Sequence, residues 1–106
     1  MTVKPYVLAE KAYLTDLRRH FHAHPEVSLQ EYETCKKIEG ELDSMGIPHK
    51  RIGETGVYGW IDGKKAGDGV TVALRADIDA LAMEDLKEVP YHSQNAGVCH
   101  ACGHDA

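Results

Sequence analysis

The chain has 106 residues, of which 42% are hydrophobic and 27% charged, a composition typical of a folded globular protein. Its net charge of −5, from 12 basic and 17 acidic residues, argues against nucleic acid as a main partner. No apolar run approaches the roughly 20 residues that cross a bilayer, and the N-terminus lacks the apolar stretch of a secretory signal. We therefore expect a cytoplasmic protein without membrane association, comprising one domain or part of one.

The first predicted element is a helix over residues 12–23. Its apolar residues recur every three to four positions, which is the period of an amphipathic helix. Pro25 ends it, because proline cannot continue the helical hydrogen bonds and restricts the residue before it.

A second helix is predicted over residues 31–45, where apolar positions keep the same spacing. Ser28 and Glu31 have the spacing of a capping box at its start. Gly46 is well placed to end it, since glycine readily adopts the left-handed conformation that follows many helices.

Short extended segments follow the helices. Strands are predicted over residues 49–52, 57–61 and 70–78, separated by glycine-bearing turns. In the last of them the even positions are all apolar, so Asp77 and Asp79 lie on the opposite face near its carboxyl end. Paired carboxylates there could bind metal, orient a metal-bound histidine or act in acid–base chemistry; alternatively they are a solvated strand end.

The C-terminal residues are rich in metal-binding side chains: Cys99, His100, Cys102, His104 and Asp105. Thiolate, imidazole and carboxylate are the ligands of zinc and similar ions. Cys99 and Cys102 could also form a redox pair or half of a zinc knuckle, although the structural context of either is missing from the sequence. An odd number of cysteines without a signal peptide favours metal or redox use over a disulfide framework.

A further histidine pair lies where the first helix ends. His22 and His24, with Glu26 nearby, have the spacing of a ligand pair. At a helix exit before proline, however, an imidazole commonly bonds to the last carbonyl groups or interacts with the helix dipole. Both interpretations remain open from the spacing alone.

Three stretches together resemble one family, the metal-dependent amidohydrolases and peptidases that include hippurate hydrolase, aminoacylases, plant auxin-conjugate hydrolases and N-acetyl-diaminopimelate deacetylase. Residues 17–26 (LRRHFHAHPE) resemble its opening helix and turn, residues 73–81 (ALRADIDAL) its aspartate strand, and residues 97–105 (GVCHACGHD) its metal motif. The resemblance implies an α/β fold: the N-terminal part of a mixed-sheet catalytic domain, with two leading helices and truncation after the first metal motif.

The resemblance also implies roles for individual residues. Cys102 and His104 correspond to metal ligands, and Asp79 to the catalytic carboxylate that orients the metal centre. Asp77 lies where the related peptidases carry a metal-binding histidine, so its role stays open, and the turn at residues 22–26 is structural. Two divalent ions, which could be zinc, manganese, cobalt or nickel, would activate a water as metal-bound hydroxide to cleave N-acyl amino acids or similar small amides.

The resemblance leaves parts of such an enzyme unaccounted for. Its general base, its other ligands and its lid or dimerisation domain lie beyond residue 106, so residues 1–106 are expected to be an N-terminal fragment with little activity alone. Cys99 replaces a common methionine, a change that we attribute to packing. The alternatives are a small metal or redox module using Cys99, His100, Cys102 and His104, and a non-catalytic remnant that binds a full-length relative.

Overall fold

The computed structural model describes residues 2–65, 67 and 69–105. Helices lead this described part of the chain, a two-stranded hairpin follows, and the rest is largely irregular. The elements are α1 Pro5–Leu8, α2 Lys11–Ala23, α3 Tyr32–Met45, β1 His49–Ile52, β2 Gly56–Gly59 and a 3₁₀ turn at Gly103–Asp105. The predicted α/β class is confirmed. No helix within these ranges is both long and apolar enough to cross a membrane.

The two predicted helices are present close to their predicted bounds. After α2, the ring Nδ1 of His24 donates a hydrogen bond to the His20 carbonyl at 2.8 Å, as expected of an imidazole at a helix exit. Gly46 follows α3 in the left-handed conformation, with φ of 69°. The N–H groups of Gly46 and Ile47 satisfy two of the last carbonyls of α3, which explains why the helix stops there.

The predicted capping box of Ser28 and Glu31 is wrong. Glu31 precedes α3 directly but makes no side-chain capping bond, and Ser28 is exposed. The Glu31 carboxylate instead accepts a hydrogen bond from the N–H of Leu29 at 2.9 Å. It therefore stabilises the turn before the helix rather than the helix itself.

Glu26 supplies the cap that Ser28 does not. Its carboxylate accepts hydrogen bonds from the N–H and hydroxyl of Thr34, both at 2.6 Å, and from the N–H of Glu33 at 3.2 Å. A turn closed by the Gln30 N–H and the Val27 carbonyl returns the chain to bring Glu26 there. Burial alone would raise the pKa of Glu26, but the Thr34 and Glu33 hydrogen bonds outweigh it and lower the pKa.

The hairpin packs against α3. Strands β1 and β2 pair antiparallel, with Arg51 opposite Val57. Cys35 on α3 is completely buried, and its thiol donates to the Gly56 carbonyl at 3.6 Å. This burial raises the pKa of the Cys35 thiol, so the group behaves as a small packed side chain. Arg51 also forms an ion pair with Glu39 of α3.

The strand predicted over residues 70–78 is not formed. Val70, Val72 and Leu74 are 82, 79 and 96% exposed, and no strand pairs with this segment within the described ranges. The physical reason is that alternation shows how side chains would divide between two faces, whereas a strand also needs a neighbour to bond its backbone. Pairing first appears at Ala80, in an isolated parallel bridge to Val27.

Candidate functional site

The turn after α2 is hydrogen-bonded to the aspartate segment and to residues just before the C-terminal motif. The carbonyl oxygens of Ala23, Pro25 and Glu26 all accept hydrogen bonds from residues far along the chain. The donors are the N–H of Gln94 at 2.7 Å, the side-chain amide of Asn95 at 3.1 Å and the N–H of Ala80 at 2.8 Å. Carbonyls at a helix end have no partner within the helix, so they are available to hold other segments.

A second link joins the aspartate segment to the C-terminal motif. Leu81 and Cys99 form an antiparallel bridge in which each N–H donates to the other's carbonyl at 2.9 Å. Antiparallel segments run in opposite directions from a bridge, so residues before Leu81 and residues after Cys99 lie at the same end of it. Asp79, which precedes Leu81, and Cys102, which follows Cys99, therefore lie beyond the same end of this bridge.

The two aspartates differ in their surroundings. Asp79 is half-buried, whereas Asp77 is exposed and forms an ion pair with Arg75 at 3.0 Å. Both line a cleft of about 790 Å³ that reaches the hairpin. Arg75 is thus the counter-charge of Asp77, which is the arrangement expected of a solvated carboxylate, while Asp79 is the better enclosed of the two.

The C-terminal motif is divided between the interior and the surface. Cys99 and His100 are buried, but Cys102 and His104 are exposed, with His104 in the 3₁₀ turn. Within the described part of the chain, neither Cys102 nor His104 belongs to a group of three donors close enough to hold one ion. This division argues against all four residues binding a single ion.

The buried polar cluster of the molecule was not predicted. His22 is 1% exposed, and its Nε2 lies 3.0 Å from Oδ2 of Asp85, whose side chain is 4% exposed. The Asp85 carboxylate also accepts hydrogen bonds from the N–H of Ser93 at 2.9 Å and of Lys87 at 3.2 Å. Hydrogen bonds from Ser93, Lys87 and His22 outweigh burial and lower the pKa of Asp85 to about 2. Asp85 is therefore ionised, and Nε2 of His22 carries the proton that it donates.

Cys99 completes this cluster. Ligand atoms of His22, Asp85 and Cys99 all lie within 4.8 Å of one another. The sequence offered a signal for His22 and for Cys99 but none for Asp85, which lies 63 positions after His22 in a stretch without a motif. Only the fold of residues 80–99 onto the turn after α2 brings the two side chains together.

Comparison with known proteins gives relatives for most of the chain. No protein-family model matches it. A protein of Bacillus subtilis named as an amidohydrolase, YhaA, is 48% identical over 93 residues, which are 87% of this chain and 23% of YhaA. A Synechocystis protein named as a hydrolase, sll0100, is 47% identical over 93 residues, with the same shares of the two chains.

Solved structures of similar proteins also match most of this chain. YXEP of Bacillus subtilis, described as a dinuclear metal binding peptidase of the M20 family, matches with a TM-score of 0.83 and 42% identity, covering 92% of this chain and 28% of YXEP. A Staphylococcus aureus protein described as an aminohydrolase gives a TM-score of 0.84 at 37% identity, covering 94% of this chain and 26% of the other.

These likenesses define the class of protein. The chain corresponds to an N-terminal portion of the metal-dependent amidohydrolase and peptidase family. It spans about a quarter of the length of the curated relatives that it matches.

Proposed function

We propose that residues 1–106 form the N-terminal part of the catalytic domain of a metal-dependent amidohydrolase, whose lid or dimerisation domain lies outside residues 1–106. The substrates that we propose are N-acyl amino acids or related small amides. One observation carries the proposal: the aspartate segment is hydrogen-bonded to the opening turn through Ala80 and to the C-terminal motif through Leu81, in a fold that matches a dinuclear metal binding peptidase.

The donors of the chain are chemically suited to such a metal centre. Cys102 and His104 offer a thiolate and an imidazole, which bind zinc, manganese, cobalt or nickel with different preferences. Both are exposed, so a metal can reach them, and Asp79 lies on the same side of the bridge between Leu81 and Cys99. We therefore assign Cys102 and His104 as ligands and Asp79 as the carboxylate that orients the centre.

The chemistry of amide hydrolysis assigns a different task to each group. Two divalent ions, when bound, lower the pKa of a water and polarise the acyl carbonyl. Asp79 would fix the orientation of a ligand, because a carboxylate that accepts a hydrogen bond from a metal-binding imidazole raises the basicity of that imidazole. Asp77 is neutralised by Arg75 and has no assigned step.

The chain alone is expected to be inactive. Cys102 and His104 are only two ligands, whereas a catalytic centre needs at least three and a general base held within hydrogen-bond reach of the water. Activity should therefore appear only when the complementary portion of the enzyme is supplied.

A chimera tests this function. The N-terminal quarter of YXEP is replaced by residues 1–106 of this chain, and hydrolysis of a panel of N-acyl amino acids is measured with added manganese, zinc, cobalt or nickel. We expect hydrolysis by the chimera and none by the 106-residue chain. In the chimera, Cys102→Ser, His104→Ala and Asp79→Asn should each lower kcat by about 100-fold or more.

Two further measurements make the test decisive. Arg75→Gln, which removes the partner of Asp77, serves as the matched control and should leave kcat within a few-fold. A folded chimera that binds metal but cleaves no N-acyl amino acid would refute the proposed substrate class. Full activity in the Cys102→Ser and His104→Ala variants would refute the assignment of the ligands.

A further inference from the structure

We propose that His22, Asp85 and Cys99 form a second, buried site for one divalent transition-metal ion, separate from the exposed Cys102 and His104. It is a site of the zinc and cobalt type, with nitrogen, oxygen and sulfur donors. The juxtaposition of the three side chains carries this inference, since their ligand atoms lie within 4.8 Å of one another.

The geometry is that of a compact, enclosed site. His22 is 1% and Cys99 is 5% exposed, and the Asp85 side chain is 4% exposed. Donor atoms bound to one tetrahedral ion at about 2.0–2.3 Å lie a few ångströms apart, so this spacing needs only small side-chain movements. The backbone holds the donors there, because Cys99 is bridged to Leu81 and Asp85 is bonded by the N–H groups of Ser93 and Lys87.

The charges of the site also favour a dication. Carboxylates and thiolates bind metal in their deprotonated forms, so Asp85 and Cys99 would give the occupied site two negative charges. Two buried negative charges are costly unless a cation neutralises them. A divalent ion supplies that neutralisation, with the neutral imidazole of His22 as the third donor.

The imidazole can present one nitrogen to the ion. Nε2 of His22 lies 3.0 Å from the Asp85 carboxylate, so the ion would bind between these two atoms and replace the hydrogen bond that joins them. Nδ1, which is buried without a hydrogen-bond partner among the described residues, would then carry the ring proton.

A cleft lies beside this site. His22 lines a cleft of about 520 Å³ between α2, α3 and residues 76–78. An ion would approach the imidazole from this cleft.

A cobalt titration tests the proposal on the 106-residue chain. The chain is stripped of metal, and Co²⁺ is added up to one equivalent while the thiolate-to-cobalt charge-transfer absorption is followed. We expect one equivalent to bind with this absorption, and Zn²⁺ to displace it. In Cys99→Met, which keeps an apolar side chain at that position, the absorption should disappear.

Further variants separate this site from the C-terminal motif. Cys102→Ser should keep the absorption and the stoichiometry, because Cys102 is not a ligand of the buried site. Cys35→Ala controls for the loss of an unrelated buried thiol. Asp85→Asn removes a charged ligand and should weaken zinc binding by at least about 10-fold. Far-ultraviolet circular dichroism confirms that each variant remains folded, and His22→Gln provides a second test should Cys99→Met unfold.

Each other outcome would overturn the inference. Absence of the absorption in the unaltered chain would show that His22 and Asp85 form a hydrogen-bonded pair only. Its loss in Cys102→Ser but not in Cys99→Met would place the ion at the C-terminal motif. Loss in both variants would indicate a shared four-ligand site. None of these outcomes depends on hydrolysis, so they leave the proposed function to be decided by the chimera.

Discussion

Residues 11–59 and residues 60–104 are held in place by different kinds of contact. The first region consists of α2, α3 and the hairpin, whose backbone hydrogen bonds join residues that are near in sequence. The described residues of the second region have little regular structure, and several are bonded to the turn after α2, as Ala80 is to Glu26. The second region therefore depends on the first for its order. Each substitution below is expected to perturb one region more than the other.

The largest expected effect is that of His22→Ala, which removes the partner of the ionised Asp85. Removing the donor of a buried hydrogen bond to a charged group costs roughly 1.5–3 kcal/mol. We expect amide hydrogen exchange in residues 80–99 to accelerate strongly while α3 remains protected. The exchange rates are measured in metal-free buffer. His24→Ala, two positions away and exposed, is the matched control and should change little. Equal acceleration throughout α3 would contradict the separation of the two regions.

Gly56→Ala perturbs the first region instead. A Cβ atom at Gly56 would lie 2.9 Å from the backbone carbonyl oxygen of Ile52, so the hairpin must shift. Such overpacking costs about 1–3 kcal/mol, and urea unfolding followed by the fluorescence of Trp60 would report it. Gly63→Ala, where no atom lies within 4 Å of the added group, is the comparison. Equal stability of the two variants would show that the hairpin accommodates the methyl group.

Glu26→Gln weakens the cap of α3 and should cost about 1 kcal/mol. Because the pKa of Glu26 is lowered by folding, its carboxylate contributes fully above its ordinary value of 4.5. That contribution is lost as the pH falls through the lowered value. The difference in unfolding free energy between the unaltered chain and Glu26→Gln should therefore shrink on acidification. Urea unfolding from pH 7 to pH 3 would measure this difference. A difference independent of pH would exclude the charged cap.

The smallest expected effect is a gain in stability from Gly40→Ala. Gly40 lies within α3 and an added Cβ would meet no atom within 4 Å, so Gly40→Ala should stabilise the helix by roughly 0.5–1 kcal/mol. Thermal unfolding followed by circular dichroism would measure the gain. Hydrogen exchange in residues 80–99 should not change in this variant. Destabilisation by Gly40→Ala would mean that the position makes contacts that the structure does not show.

The fold could be predicted from the sequence where contacts are local. Helical periodicity located α2 and α3 to within a residue at each end, and Gly46 was correctly placed at the end of α3. The predicted capping box is wrong because Glu26, brought to the start of α3 by a turn, accepts the hydrogen bond from the Thr34 N–H. The spacing of Ser28 and Glu31 contains no information about that turn. The predicted strand over residues 70–78 failed because its pattern contains no information about a pairing partner.

The candidate site was predictable only where a motif marked it. Cys102, His104 and Asp79 were selected from motifs, and their roles stay predictions until the chimera is measured. Asp85 had no motif, and its contact with His22 spans 63 positions. Contacts between residues so far apart in the sequence depend on tertiary packing. A short window of local sequence does not encode that packing.

The carbonyl groups at the end of α2 also have a consequence for the order of folding. Closing the contact between Glu26 and Ala80 joins residues more than 50 positions apart, which is entropically unfavourable until the acceptor is rigid. The acceptors become rigid only when α2 and the turn after it have formed. We therefore expect the helices to gain protection early in a pulse-labelling experiment and residues 80–99 to gain it late, so that the metal motif takes shape last.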